Sequence, residues 1–83
     1  MPVIKIYGAD WCHTTTETRE HLDELGVAYQ YINIERDPAA AKWVREQNHG
    51  KEVKPTLDIQ GRVLSEPSDE ELDAALTQAG VSY

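Results

Sequence analysis

The sequence predicts an α/β fold, a four-stranded mixed sheet with helices on both faces, in the order β-α-β-α-β-β-α. Three observations carry that prediction. Short β-branched runs alternate with longer stretches of helix formers through the first half of the chain. Two of the helical stretches open on recognisable start signals. Two short apolar runs near the end are joined by Gln60-Gly61, a hairpin turn.

Taken in order, Val3-Ile4-Lys5-Ile6-Tyr7 is short, apolar and β-branched, and Gly8 ends it, as for a buried strand. A polar segment from Cys12 to Leu25 follows, closed by Gly26 at a C-cap position. Its helical character rests on the good helix formers of Glu17–Leu25, with Leu22 and Leu25 as the strong apolar anchors. Val27 to Ile34 alternates loosely and reads as the second strand. Asp37 then suits an N-cap with Pro38 in the first helical turn. Ala40, Trp43, Val44 and Gln47 recur at helical spacing before Asn48-His49-Gly50 stops the helix. Thr56–Ile59 and Arg62–Leu64 are two short strands. Ser68, with Glu71 three residues on, forms a capping box for a last helix whose buried stripe is Leu72, Ala75, Leu76 and Ala79.

Right-handed crossovers place the first two strands side by side and parallel, and the hairpin completes the sheet. Functional groups in such sheets gather beyond the carboxyl ends of the strands. The loop after the first strand carries Asp10-Trp11-Cys12.

Composition narrows the function classes. The 83 residues are expected to form one domain, residues 1–83. A chain this short buries only about 60% of the surface its unfolded form exposes. Small secreted domains compensate with several disulfides, whereas this chain has one cysteine and no possible internal bridge. A reducing compartment, the cytoplasm, is the expectation. The start does not read as a signal peptide, and no stretch approaches the ~18 apolar residues of a membrane span. Fifteen acidic against eight basic residues give a net charge of −7. That balance argues against nucleic acid and anionic membranes as partners. A monomer is expected.

Cys12 lies at or near the start of the first helix. Unpaired amides and the positive end of the helix dipole stabilise a thiolate there, lowering its pKa. The thiolate is the nucleophile of disulfide exchange. Thr15, three residues on, can donate a hydrogen bond to it but cannot resolve a disulfide, so an external thiol would have to complete any cycle. The plainer reading of Cys12, a small buried filler, fits poorly with a turn beyond a strand, beside a tryptophan. Val53-Lys54-Pro55-Thr56 taken alone is an ordinary loop leading into a strand.

Together these segments resemble the glutaredoxin family, in particular its short mycoredoxin-like and ribonucleotide-reductase-redoxin-like branch. The matching residues are Val3–Tyr7; Trp11-Cys12-His13-Thr14-Thr15 in place of Trp-Cys-x-x-Cys; Leu25-Gly26-Val27; Ile32-Asn33-Ile34; Asp37-Pro38-Ala39-Ala40; Trp43-Val44 with Asn48-His49-Gly50; Val53-Lys54-Pro55-Thr56; and Glu66-Pro67-Ser68. The resemblance implies a thioredoxin fold with Pro55 cis beside Cys12. It implies a monothiol thiol–disulfide oxidoreductase of electron transport and cell redox homeostasis. Such a protein binds no cofactor and uses a low-molecular-weight thiol, glutathione or mycothiol, as co-substrate to reduce oxidised protein substrates. Cys12 and Thr15 would be its catalytic pair. Trp11, His13, Lys51, Lys54, Pro55, Ser68 and Asp69 would line the substrate site. Within that set the Lys54 backbone would pair with the cysteinyl part of the thiol, Lys51 would meet a carboxylate, and Ser68 with Asp69 would hold the other end at a helix N-terminus.

The chain departs from the pattern at three places. Thr15 replaces the resolving cysteine. Lys54 replaces an apolar residue and brings a cation near the thiolate. Ala9 stands near where many glutathione-using members carry a lysine. Lys51 also reads as a solvated loop lysine, Ser68 as a plain N-cap, and Trp11 as a packing residue. Trp43 reads as core, and Tyr7, Tyr29 and Tyr31 as packing. The alternatives to an enzyme are a redoxin-fold binding module that has lost turnover, and an iron–sulfur or metal carrier. A zinc set of Cys12, His13, His21 and His49 matches no known spacing, so no metal ligand is assigned.

Overall fold

The computed structural model describes residues 4–81. It contains β1 (Ile4–Gly8), α1 (His13–Leu25), β2 (Gln30–Asn33), α2 (Pro38–Gln47), β3 (Thr56–Ile59), β4 (Arg62–Ser65) and α3 (Asp69–Gln78). The sheet order is β2-β1-β3-β4. β1 runs parallel to β2 and antiparallel to β3, and β3 and β4 form an antiparallel hairpin. This is the expected thioredoxin-like arrangement. Val3, the expected first strand residue, lies outside the described residues.

The period-two alternation of β1 divides the molecule into two layers around the sheet. Ile4 and Ile6 face α1 and α3, where they join Leu22, Leu57, Ile59, Leu72, Ala75 and Leu76 in one buried cluster. Tyr7 faces α2 and packs with Ile34, Ala40, Ala41 and Val44. Each fully buried Ile or Leu contributes on the order of 2 kcal/mol, which is how a chain with no disulfide holds its fold.

The helix ends follow local chemistry. Gly26 adopts φ 74°, and Val27 N–H donates to Leu22 O at 3.0 Å, closing α1 in a Schellman turn. The Asp37 carboxylate accepts from Ala40 N–H at 3.0 Å at the start of α2. At α3 the capping box forms in both directions. Gln60 and Gly61 both take positive φ, as a two-residue hairpin turn requires.

Four expectations need correcting. β2 starts at Gln30 rather than Val27, because the Schellman turn holds residues 26 and 27 against α1. Trp43 is only half-buried and stacks on Tyr7, with ring centroids 4.5 Å apart. Gln47 is exposed, and Ala41 takes its place on the buried face of α2. The buried stripe of α1 is Thr15, Thr18 and Leu22, while Leu25 sits at its margin.

Candidate functional site

β1 delivers the chain to the end of the sheet, and a turn over residues 9–12, closed by Cys12 N–H donating to Ala9 O at 3.1 Å, reverses it into α1. Cys12 is the N-cap residue of that helix, half-buried, with φ −78° and ψ 116°. An N-cap side chain faces the amides of the second and third helical residues, here Thr14 and Thr15. The Cys12 side chain makes no cap hydrogen bond; a thiolate is the form that helix-start amides favour.

Burial works against ionising Cys12. The Thr15 hydroxyl, the Thr15 and Thr14 amides, and then the Lys54 ammonium outweigh it, so the thiol titrates below its ordinary value of 9.0. Thr15 is fully buried, and its Oγ1 has no hydrogen-bond partner. Ionisation of Cys12 supplies the acceptor this hydroxyl lacks. The last residue of β1 permits the arrangement: a Cβ on Gly8 would meet Thr15 Oγ1 and Cγ2 at 2.5 Å.

The opposite wall comes from the loop between α2 and β3. The Lys54–Pro55 peptide is cis, and Pro55 is buried. The Cys12 thiol donates to Lys54 O across a long 3.9 Å contact. The Lys54 side chain lies with Nζ 5.4 Å from the centre of the Trp11 ring and 3.9 Å from Glu52 Oε1. This loop is held from beneath by buried Asn48, whose amide donates to Val44 O at 2.7 Å and to Thr56 Oγ1 at 3.2 Å and whose carbonyl accepts from Ser65 Oγ. Thr56 Oγ1 in turn donates to Val53 O at 2.8 Å. Pro55 O accepts from Glu66 N–H at 2.9 Å, bringing the β4–α3 connection alongside.

The expected site residues divide into three groups. Trp11, Cys12, Thr15, Lys54 and Pro55 converge. His13 does not join them; it is exposed and pairs with Glu17 one turn along α1 at 2.8 Å. Lys51 is exposed in the α2–β3 loop. Ser68 and Asp69 stand at the start of α3 with partners of their own. Glu71 Oε1 accepts from Ser68 N–H at 3.1 Å, Ser68 Oγ accepts from Glu71 N–H at 3.1 Å, and Asp69 lies 3.8 Å from His21. Among the described residues, no three His, Cys, Asp or Glu side chains converge in metal-binding geometry. His21 instead bonds Asp73 at 2.8 Å.

Two tethers had no counterpart in the sequence reading. The Trp11 indole N–H donates to Glu35 Oε2 at 2.7 Å, and the residue is 66% exposed. The Tyr31 hydroxyl donates to Asp10 Oδ1 at 2.7 Å. Both contacts join residues more than 20 apart, so neither has a local pattern that could reveal it.

Comparison with known proteins agrees with this fold. The family description "Glutaredoxin" matches residues 4–64. A Mycobacterium tuberculosis protein provisionally named a glutaredoxin is 32% identical over 76 residues, 90% of each chain. Mycoredoxin 1 of Corynebacterium glutamicum is 33% identical over 57 residues, 69% of this chain and 70% of the relative. Among solved structures, a thioredoxin-like protein superposes with a TM-score of 0.81 at 26% identity, covering 93% of this chain and 97% of the other. The NrdH-redoxin of Escherichia coli superposes with a TM-score of 0.76 at 24% identity, covering 86% and 91%, a likeness of fold.

Proposed function

We propose, from the premise that this chain belongs to the glutaredoxin family, that it is a monothiol thiol–disulfide oxidoreductase acting on mixed disulfides between proteins and a low-molecular-weight thiol. The observation that carries this reading is the setting of Cys12. Its sulfur stands at a helix start, where a buried hydroxyl without a partner, two amides and an ammonium all favour the thiolate.

In the first step the Cys12 thiolate attacks the small-thiol sulfur of the mixed disulfide. A bond forms between Cys12 and the small thiol. The original S–S bond breaks, and its electron pair leaves on the protein's sulfur, which takes a proton from water. A second small thiol, as its thiolate, then attacks the small-thiol sulfur of the Cys12 adduct and returns the Cys12 thiolate. The net change converts one mixed disulfide and one small thiol into one reduced protein thiol and one small-thiol disulfide. Thr15 stabilises the attacking and departing Cys12 thiolate and takes no covalent part. In this proposal Trp11 and Pro55 flank the bound small thiol, and the Lys54 backbone pairs with its cysteinyl part.

The start of α3 bears on which thiol is used. Its capping positions already hold the Glu71 carboxylate, and Asp69, Glu70 and Glu71 crowd the first turn. A glutathione carboxylate docking there would displace one carboxylate and face two more. Ala9, buried where many glutathione-using relatives have lysine, supplies no compensating cation. The reading is therefore mycothiol in preference to glutathione, in a single-domain monomer of the reducing cytoplasm.

The test is the release of reduced peptide from mixed disulfides of one peptide with each small thiol. The wild type is expected to accelerate release, faster from the mycothiol disulfide, and Cys12→Ser to abolish the effect. Wild-type rates no greater than those of Cys12→Ser would contradict the reading and leave the fold as a binding module.

A further inference from the structure

The residue before Trp11 is a carboxylate, an unfavourable neighbour for a thiolate two positions away. Asp10 is exposed at the tip of the 9–12 turn, but its side chain is not loose. It accepts a 2.7 Å hydrogen bond from the Tyr31 hydroxyl on β2, the strand parallel to β1. The Tyr31 ring is itself clamped: the Arg19 guanidinium of α1 lies over it, 4.0 Å from the centroid. Arg19 keeps its charge through the Tyr29 hydroxyl first, against burial, with Tyr31 and Asp10 adding to the effect. The groups facing Asp10 are thus a hydroxyl and a cation from β2 and α1, with Lys54 acting on Cys12 from the loop before β3.

We propose that Tyr31 is a positioning residue for the Cys12 thiolate, holding the Asp10 carboxylate against β2 and Arg19 so that its charge does not bear on the sulfur. This rests on the reading that Cys12 reacts as a thiolate. Two further observations agree with it. Burial and then the bond to Asp10 push the Tyr31 hydroxyl up to about 12, so it stays a proton donor over the whole working range. Asp10 is only two residues from Cys12. Trp11, between them, is turned to Glu35 by the second tether. The turn is therefore pinned at both residues that precede the nucleophile.

The test is the pH dependence of iodoacetamide alkylation of Cys12 in four proteins: wild type, Tyr31→Phe, Asp10→Asn and Tyr31→Phe/Asp10→Asn. Phenylalanine keeps the ring under Arg19 and removes only the hydroxyl, and circular dichroism checks each fold. Tyr31→Phe frees the carboxylate and is expected to move the inflection upward by roughly half a unit or more, as one incompletely screened charge nearby would. Asp10→Asn alone is expected to leave the inflection at the wild-type value, and the double variant to return to it. A merely structural Tyr31 would weaken the fold without moving the inflection, and neutralising Asp10 would rescue nothing. An unmoved inflection in Tyr31→Phe, or a shift that persists in the double variant, overturns the proposal. The wild-type inflection taken alone tests the functional reading, and the differences between variants test this one.

Discussion

Thr15 Oγ1 lies 2.5 Å from the position a Cβ on Gly8 would occupy, so the end of β1 and the first turn of α1 are in contact at the point where the Cys12 thiolate finds a donor. No side chain fits at Gly8 unless Thr15 moves. The hydroxyl is buried there without a hydrogen-bond partner.

Gly8→Ala is accordingly expected to cost about 1–3 kcal/mol, the usual penalty of overpacking a core position. Displacing Thr15 would also raise the Cys12 pKa. Thermal denaturation measures the first effect and alkylation against pH the second. Full stability with unchanged Cys12 reactivity would contradict the contact.

Thr15→Val separates reactivity from stability. It keeps the volume and removes a hydroxyl that is buried without a hydrogen-bond partner. Below the folded-state thiol pKa, the variant should be as stable as the wild type, or more stable by up to about 1 kcal/mol. The Cys12 pKa should rise, because the largest favourable contribution to the thiolate is gone. A depressed thiol pKa adds stability that is fully present above the unfolded pKa and is lost as pH falls through the folded one. Denaturant melts across that window should therefore show a smaller gain with rising pH in Thr15→Val than in the wild type.

Lys54→Met tests the cation. Its action on the sulfur is weaker than that of Thr15, so the inflection should rise by less than in Thr15→Val. Added salt should narrow part of the difference between Lys54→Met and wild type, since the Lys54 side chain is 18% exposed and incompletely screened. An effect larger than that of Thr15→Val, or one indifferent to salt, would contradict the ordering.

His21 predicts a pH dependence of stability away from the site. Its bond to Asp73, against burial and with help from Asp69, raises its pKa above 6.5. A raised histidine contributes stability that is complete below the unfolded pKa and is lost as pH rises through the folded one. Relative to His21→Gln, the wild type should gain stability at pH 6 and lose that advantage by pH 8.5. The gain should be well under about 1 kcal/mol, because Asp73 is 46% exposed and solvent screens the pair. Thermal melts of both proteins at the two pH values measure it.

Local codes were legible in the sequence. Ser68 and Glu71 form both bonds of the box their spacing implies, and Gln60-Gly61 takes the turn its residue types favour. The thioredoxin-like order followed from such punctuation. What escaped is settled between distant segments. Nothing near Gln30 announces that a helix-closing turn at Gly26 delays β2. Thr15 and Thr18 are polar by type and yet form the buried face of α1, because β1 ends in a glycine that admits one of them. At the site, the position of Cys12 at a helix start was legible, whereas the Pro55 loop, an ordinary loop taken alone, drew its meaning only from the family resemblance. The Asp10–Tyr31 and Trp11–Glu35 tethers were not legible, since a hydrogen bond across more than 20 residues leaves no periodicity.

The alkylation rate of wild-type Cys12 against pH tests the central claim most directly, that the site is built to hold a thiolate. The account predicts an inflection clearly below the free-thiol value. An inflection at or above that value would mean that Thr15, the helix-start amides and Lys54 do not overcome burial, and that the fold persists here without its chemistry.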